Sequence, residues 1–261
     1  IDGETIVKIC EEDKVRINLA YEMQKLGITY IPDLWTPDHP RLYTFRITMG
    51  EDEVDSYFAL RSISIKDIEG IKRICLNNRP IFLHAVLDQG YYSDGIFTPS
   101  SEKSFEDDIL AMKRLGFNTL RKHIKIEPEL FYYACDRLGM IVMQDMVNSG
   151  HYSFLRDTAL PTLGKFRKND RFGGGSKKRK QFFVKHSLET VRLLYNHPCI
   201  LYYTIFNEGW GQFCSDAMYE TIKTADSTRI IDTTSGWFFG KKKKKKSLHI
   251  YFSNKKVDTD E

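Results

Sequence analysis

Residues 200–211 read I-L-Y-Y-T-I-F-N-E-G-W-G and decide how the rest of the chain is interpreted. The run begins with apolar, aromatic and β-branched residues, which is the composition of a strand buried on both faces. It ends in Asn207 and Glu208, with Trp210 just beyond. A carboxylate beside an amide and an aromatic ring, at the carboxyl end of a buried strand, is the layout of a barrel site that cleaves sugars. The alternative is that Glu208 only begins a loop.

The composition limits the partners that we expect. The 261 residues are 41% hydrophobic and 13% aromatic, which predicts a globular protein of one or two domains. The net charge of +4 is smaller than the six positive charges of the lysine run at residues 241–246, so the rest of the chain is slightly acidic. We therefore expect no nucleic-acid-binding surface. No apolar run reaches the length of a membrane span, so we expect no membrane contact. The composition is compatible with a monomer or a homo-oligomer.

The cysteines indicate a reducing compartment. They are widely spaced and form neither a C-x-x-C pair nor a Cys/His cluster with zinc spacing, so we expect no metal and no other cofactor. Free, buried thiols favour a cytoplasmic protein, although an upstream export signal stays open because the sequence does not begin with Met. The cysteines are Cys10, Cys75, Cys135, Cys199 and Cys214.

Residues 1–70 predict an all-β region. Residues 14–20, 42–49 and 57–65 alternate apolar and polar side chains, and Pro37 and Pro40 force an extended turn between two of these segments. So few strands cannot close a sandwich, so we expect a partial β-sandwich domain.

Residues 71–261 predict an α/β domain instead. Strands near residues 81, 117, 140, 200, 229 and 247 alternate with helices that begin near residues 104, 127, 177 and 214. This alternation is typical of a parallel sheet, and the lack of a glycine-rich fingerprint after the first strand counts against a doubly wound fold. Polar and aromatic residues follow several strand ends, which favours a (β/α)8 TIM barrel with about six of its eight strands present. These residues are Asp88, Gln89, Arg121, His123, Gln144, Asp145, Asn207, Glu208, Trp237 and Tyr251.

Cleavage of a glycosidic bond needs a proton donor and a second carboxylate. Glu208 suits the donor, because partial desolvation at a barrel mouth raises the pKa of a glutamate. Asn207 suits a hydrogen bond to a sugar hydroxyl. Trp210 and Trp237 offer flat faces to a sugar ring, although loop packing explains them equally well. Asp145 could contact the site, but a structural role, orienting Arg121 or His123, explains it at least as well.

Three histidines and two low-complexity segments have less specific patterns. His84 lies inside an apolar run and is expected to be a core histidine, whereas His123 and His249 lie near strand ends and suit substrate contact. No H-E-x-x-H or G-x-S-x-G motif supports zinc or serine hydrolysis. The G-G-G-S at residues 173–176 and the lysines at 241–246 are expected to be flexible or engineered loops rather than phosphate or membrane sites.

Several motifs resemble glycoside hydrolase family 2, the β-galactosidase and β-glucuronidase group. The W-x-P-x-x-P-x-L-Y of residues 35–43 and the F-A-L-R-S-I of 58–63 resemble its immunoglobulin-like domain. The D-I-x-x-M-K-x-x-G-F-N-x-x-R of residues 108–121 and the F-Y-x-x-C-D-x-x-G of 131–139 resemble its first barrel helices. The N-H-P of residues 196–198, running into Asn207 and Glu208, is the most specific match.

The resemblance implies a retaining β-glycosidase in which residues 1–70 are a partial immunoglobulin-like domain and residues 71–261 most of the catalytic barrel. It implies that Glu208 is the general acid/base and Asn207 its substrate-binding neighbour, with His249 and Tyr251 near the sugar. The nucleophilic glutamate of the family follows the seventh strand, so we expect it beyond residue 261 and expect this piece alone to be inactive. A carbohydrate-binding barrel without catalysis is the alternative.

Overall fold

The structure, a computed structural model, describes residues 6–9, 15–148, 150, 153–160, 163, 170, 175–208 and 211–235. Within them the helices are α1 (Leu19–Lys25), α2 (Glu102–Arg114), α3 (Glu129–Leu138), α4 (Lys177–Leu194) and α5 (Ser215–Ala225), and Phe154–Ala159 form a π-helix. The strands are β1 (Tyr43–Met49), β2 (Asp52–Phe58), β3 (Ile63–Ile68), β4 (Ile71–Leu76), β5 (Arg79–Pro80), β6 (Ala85–Asp88), β7 (Thr119–Lys122), β8 (Ile141–Asp145), β9 (Ile200–Asn207) and β10 (Ile230–Ser235).

The centre of the structure is a five-stranded parallel sheet in the order β10-β9-β8-β7-β6. Spatial neighbours are also sequence neighbours, and a helix lies in every connection between them. A doubly wound sheet would reverse its strand order at a switch point, whereas a barrel keeps chain order around its wall. The arrangement is therefore that of a TIM barrel, and the prediction of an α/β barrel is confirmed.

The core lies between this sheet and its helices. All eight residues of β9 are buried, as the unbroken apolar run predicted. Phe206 of β9 stacks on Phe183 of α4, with ring centroids 5.1 Å apart and an angle of 12° between the rings. Phe213 packs edge-on against both rings. These aromatic contacts hold α4 against the strand that carries Asn207.

The predicted strand at residues 14–20 is wrong, because α1 begins at Leu19. The side-chain oxygen of Asn18 accepts a hydrogen bond from the backbone N–H of Tyr21 at 3.2 Å, so Asn18 is the N-cap. The run Leu19–Lys25 contains good helix formers, and Met23 is completely buried. Capping and local propensity therefore outweighed the short alternation at residues 14–20.

The strands before the barrel form two small antiparallel sheets, β1-β2 and β3-β4-β5. The predicted strand at residues 57–65 is wrong as one element, because residues 59–62 separate β2 from β3. The guanidinium of Arg61 in this break donates to the carbonyls of Pro198 and Ile200 at 2.5 and 2.8 Å. The proposed division after residue 70 lies in the turn between β3 and β4, and it stays a prediction.

Asp136 of α3 joins the region before the barrel to the barrel itself. The indole N–H of Trp35, whose side chain is fully buried, donates to the carbonyl of Asp136 at 2.8 Å. The buried Asp136 carboxylate accepts hydrogen bonds from the Tyr57 hydroxyl at 2.7 Å, the His197 ring at 2.6 Å and the Cys199 backbone at 2.8 Å. Tyr57 lies before the barrel, and His197 and Cys199 lie just before β9, so one carboxylate fixes two separate segments against α3.

The first barrel strand is shorter than predicted. The apolar run at residues 81–87 contributes only β6, and Leu87 is half exposed. The prediction that His84 is a core histidine is wrong: its side chain is exposed, with Nδ1 3.1 Å from the carbonyl of Gly116. Helix α2 follows an N-cap at Ser101, not the predicted Ser104. The predicted strand near residue 247 lies outside the described residues.

Candidate active site

Four side chains meet at the carboxyl ends of neighbouring barrel strands: Arg121 of β7, Asp145 of β8, Asn207 of β9 and Ser235 of β10. Parallel strands end at the same edge of a sheet, so their last residues come close although they are distant in sequence. Three of the four were predicted site residues. The structure brings these three together and adds Ser235.

Arg121 is the centre of this cluster. Its Nε and Nη2 donate to the two carboxylate oxygens of Asp145 at 3.1 and 2.9 Å, a bidentate pair. Nη2 also faces Asn207 Oδ1 at 2.8 Å and Ser235 Oγ at 2.9 Å. A guanidinium nitrogen of this type carries two hydrogens, so at least one of them is shared among these oxygens. The Asp145 side chain is 1% exposed. The ion pair is therefore buried.

The electrostatics of Asp145 follow from its burial. Loss of hydration raises the pKa of the carboxyl, and the guanidinium of Arg121 is the largest influence that opposes the rise. Because Arg121 occupies both carboxylate oxygens, Asp145 has the contacts of a residue that orients Arg121. Its predicted contact with substrate stays a prediction.

Asn207 is held by its side-chain oxygen. Oδ1 accepts hydrogen bonds from Arg121 Nη2 at 2.8 Å and from the Ser235 hydroxyl at 2.9 Å. An amide nitrogen placed there would face two donors, so these contacts fix which end of the carboxamide faces the cluster. The amide nitrogen of Asn207 is the end that remains to donate elsewhere.

Glu208 follows directly and is half buried. Its φ of +48° lies in the left-handed region, which costs a non-glycine residue about 1 kcal/mol. Its backbone N–H donates to the carbonyl of Ser235 at 2.8 Å. The chain therefore leaves β9 through a turn at Glu208 that β10 holds by its last residue.

His123 lies beside this group. Its backbone N–H donates to the carbonyl of Asp88 at 2.9 Å, and its side chain is half buried. Burial lowers the pKa of the imidazole, while the negative charges of Asp145 and Glu208 raise it and the positive charge of Arg121 lowers it. The net direction is downward, which favours the neutral form of the ring.

Two predicted strand-end residues belong to other networks. Gln144 accepts from the Tyr132 hydroxyl at 2.7 Å and donates to the carbonyl of Lys125 at 2.8 Å, away from Arg121. Asp88 accepts from Lys122 at 2.5 Å. The remaining predicted site residues, Trp210, Trp237, His249 and Tyr251, lie outside the described residues, as do the lysines at 241–246 and residues 173 and 174 of the G-G-G-S run. Ser176 of that run is the N-cap of α4, and its hydroxyl accepts from the backbone N–H of Arg179 at 3.4 Å.

A buried ion cluster near the site was not predicted. The ammonium groups of Lys122 and Lys125 lie 2.8 and 2.9 Å from the same oxygen of Glu127, and the Lys122 and Glu127 side chains are fully buried. Lys125 also donates to the carbonyls of Gly90 and Phe97, at 2.5 and 2.6 Å. The cluster thus fastens the connection after β6. The three charged residues lie within the stretch R-K-H-I-K-I-E at residues 121–127, and no spacing rule marks them as partners.

Metal clusters and membrane-spanning helices are absent from the described residues. Among the described residues no group of three or more His, Cys, Asp or Glu side chains could hold a metal ion. In the same part of the chain, no helix has the length and apolarity needed to cross a bilayer. The four described cysteines are free thiols, and Cys75, Cys135 and Cys199 are buried.

The family model of the glycosyl hydrolases family 2 TIM barrel domain matches residues 65–258. The chain belongs to glycoside hydrolase family 2. A β-galactosidase of Aeromonas hydrophila is 27% identical over 215 residues, which are 78% of this chain and 19% of that protein. A β-galactosidase of Leuconostoc mesenteroides is 26% identical over 213 residues, again 78% of this chain and 18% of that protein. The chain therefore spans about a fifth of the length of these relatives.

Solved structures of the family share the fold. The β-glucuronidase of Parabacteroides merdae has a TM-score of 0.61 at 19% identity, covering 78% of this chain and 24% of that one. The β-galacturonidase of Eisenbergiella tayi, solved with galacturonate, has a TM-score of 0.57 at 20% identity, covering 78% of this chain and 33% of that one. These similarities support the barrel and leave the residue roles to be argued from the site.

Proposed function

We propose that the protein is a retaining β-glycosidase in which Glu208 is the general acid/base. The observation that carries this is the placement of Asn207 and Glu208 at the end of β9, beside the cluster of Arg121, Asp145 and Ser235. A half-buried carboxyl at a barrel mouth can keep a proton for the leaving oxygen near neutral pH. The membership of the chain in glycoside hydrolase family 2 supports the same role.

The second carboxylate is a residue other than Asp145. A nucleophile must present a free oxygen to the anomeric carbon, whereas both oxygens of Asp145 accept from Arg121 and its side chain is 1% exposed. We place the nucleophile on the seventh barrel strand, where the family resemblance puts it. Arg121 and Asp145 then act by orienting Asn207, whose amide N–H groups are available to a sugar hydroxyl.

The substrate class that we propose is a β-galactoside or β-glucuronide. The names of the relatives support this choice, since they are β-galactosidases and the structural neighbours include a β-glucuronidase. We assign sugar contacts to His123, whose pKa is lowered by burial, and to Trp210, Trp237, His249 and Tyr251. We also propose that residues 1–70 are part of an immunoglobulin-like domain.

The experiment uses the protein expressed from its complete reading frame and a panel of aryl β-galactosides, glucuronides, mannosides and glucosides. We expect hydrolysis, and we expect Glu208→Gln to lower it about 10²- to 10⁴-fold for leaving groups that need protonation. Activated dinitrophenyl glycosides should lose much less. The matched control is Glu189→Gln on the exposed face of α4, which makes the same chemical change and should leave activity intact.

The mechanism has its own readout. With Glu208→Ala, azide should restore turnover and give a glycosyl azide of β configuration, because azide attacks the covalent α-glycosyl-enzyme from the opposite face. An α-azide would contradict retention. Binding of the glycosides without hydrolysis in the wild-type protein would instead favour the carbohydrate-binding alternative.

A further inference from the structure

We propose that Ser235 is a positioning residue that orients Asn207 toward the 2-hydroxyl of the sugar. This role rests on the proposed function. Ser235 is the last residue of β10, and no sequence pattern marked it as a site residue. Ser235 is buried, and the parallel register of β9 and β10 pairs it with Asn207.

The hydroxyl of Ser235 has a defined direction. It accepts from Arg121 Nη2 at 2.9 Å, which leaves its own hydrogen to donate to Asn207 Oδ1 at 2.9 Å. Asn207 Oδ1 therefore receives hydrogens from both Arg121 and Ser235. Rotation of the carboxamide by 180° would place the amide N–H groups against these two donors. The two contacts together keep the Asn207 amide nitrogen on the opposite side, where it can only donate.

The backbone of Ser235 acts on the next residue. Its carbonyl accepts the N–H of Glu208 at 2.8 Å, at the position where φ is +48°. Ser235 thus contacts Asn207 through its side chain and Glu208 through its main chain. Substitution of the side chain removes the first contact and keeps the second, so the two effects can be separated.

The chemical consequence concerns the 2-hydroxyl. In glycosidases a hydrogen bond to this group strengthens as the oxocarbenium-like transition state forms. Without the Ser235 hydroxyl only Arg121 holds Asn207 Oδ1, so the carboxamide would present its donor in a smaller share of the molecules. The loss of the Ser235 contact should therefore lower the rate more than it weakens ground-state binding.

The test compares parent glycosides with their 2-deoxy counterparts in the complete protein. We expect Ser235→Ala to lower kcat/KM about tenfold on the parent substrate, mainly through kcat. On the 2-deoxy substrate the same variant should match the wild type within about twofold. Ser235→Thr keeps the hydroxyl and should restore most of the rate. Thr233→Val is the control, since it removes a buried hydroxyl of the same strand that has no hydrogen-bond partner among the described residues.

An equal loss on both substrates would overturn the proposal, because Ser235 would then act on Glu208 or on folding. No loss on either substrate would also overturn it. A wild-type protein that hydrolyses no glycoside would refute the proposed function. The role of Ser235 would then be tested by the binding of uncleaved thioglycosides. Phenyl β-thiogalactoside and phenyl β-thioglucuronide resist hydrolysis. Weaker binding of either one to Ser235→Ala, without weaker binding of its 2-deoxy analogue, supports the role of Ser235. Any other binding result overturns it.

Discussion

Removal of Arg121 should destabilise the barrel in a way that depends on pH. Arg121→Met keeps an unbranched apolar stem and deletes both hydrogen bonds to Asp145, whose side chain is 1% exposed. Breaking a buried ion pair on one side leaves an uncompensated charge and costs about 3–5 kcal/mol. Asn207 and Ser235 lose a shared donor as well, so activity should fall with stability.

The direction of the pH effect follows from Asp145. Its pKa is already raised from 3.8 by burial, and Arg121 is the largest influence holding it down. Without Arg121 the pKa rises further, so the folded state keeps a proton that the unfolded state releases. The free energy of unfolding then falls as the pH rises from the pKa of Asp145 in the unfolded state to its higher pKa in the folded state. The loss caused by Arg121→Met should be largest at pH 8 and smaller at pH 5.

The assay is urea denaturation of the complete protein at pH 5 and pH 8, followed by near-ultraviolet circular dichroism. Arg121→Met/Asp145→Asn should be more stable than Arg121→Met alone, because no buried charge remains. Arg46→Met is the control: Arg46 binds Asp55 in the same bidentate manner at 2.6 and 2.8 Å, but on the exposed face of β1 and β2. Equal losses for the two arginine variants, or a loss independent of pH, would refute the reasoning.

Two further substitutions test buried contacts elsewhere in the barrel. Asp136→Ala should lower the free energy of unfolding by about 3–5 kcal/mol, because it leaves three donors in the interior without their acceptor, and Asp136→Asn should lose less. A loss below 1 kcal/mol in the same urea titration would contradict this role. Gly90→Ala should cost about 2–3 kcal/mol, since its new Cβ would lie 2.2 Å from Glu127 Oε1 at a φ of +68°. Gly70→Ala, at a φ of +83° with nothing within 4 Å, should cost only about 1 kcal/mol, and similar melting temperatures for the two variants would refute the steric argument.

The sequence predicted the site where strong local signals existed. The apolar run before Asn207 and Glu208 is long enough to be a buried strand wherever it is placed in a fold, and all of it is buried. The alternation of strands and helices then implied that other strand ends lie nearby, which is how Arg121 and Asp145 were found. Ser235 gave no such signal, because a serine after a strand is common and its partners are distant in sequence.

Local reasoning failed where a signal was short or an environment was tertiary. Residues 14–20 alternate like a strand, yet the N-cap at Asn18 begins a helix. His84 lies in an apolar run, but burial depends on what packs against a strand, and the side chain is exposed. The helix depends on a local competition that capping wins over a short alternation, whereas the exposure of His84 depends on distant packing that the sequence alone does not supply.

By itself the sequence determined the barrel class and the position of Asn207 and Glu208 at a strand end, because hydrophobic period and strand length are local properties. Only the tertiary structure decided which groups surround them. It showed that Arg121 occupies both oxygens of Asp145 and that Ser235 contacts both Asn207 and Glu208. The physical reason is that parallel strands from distant parts of the chain end at one edge of the sheet, where hydrogen bonds depend on angstrom-scale register that no local pattern encodes.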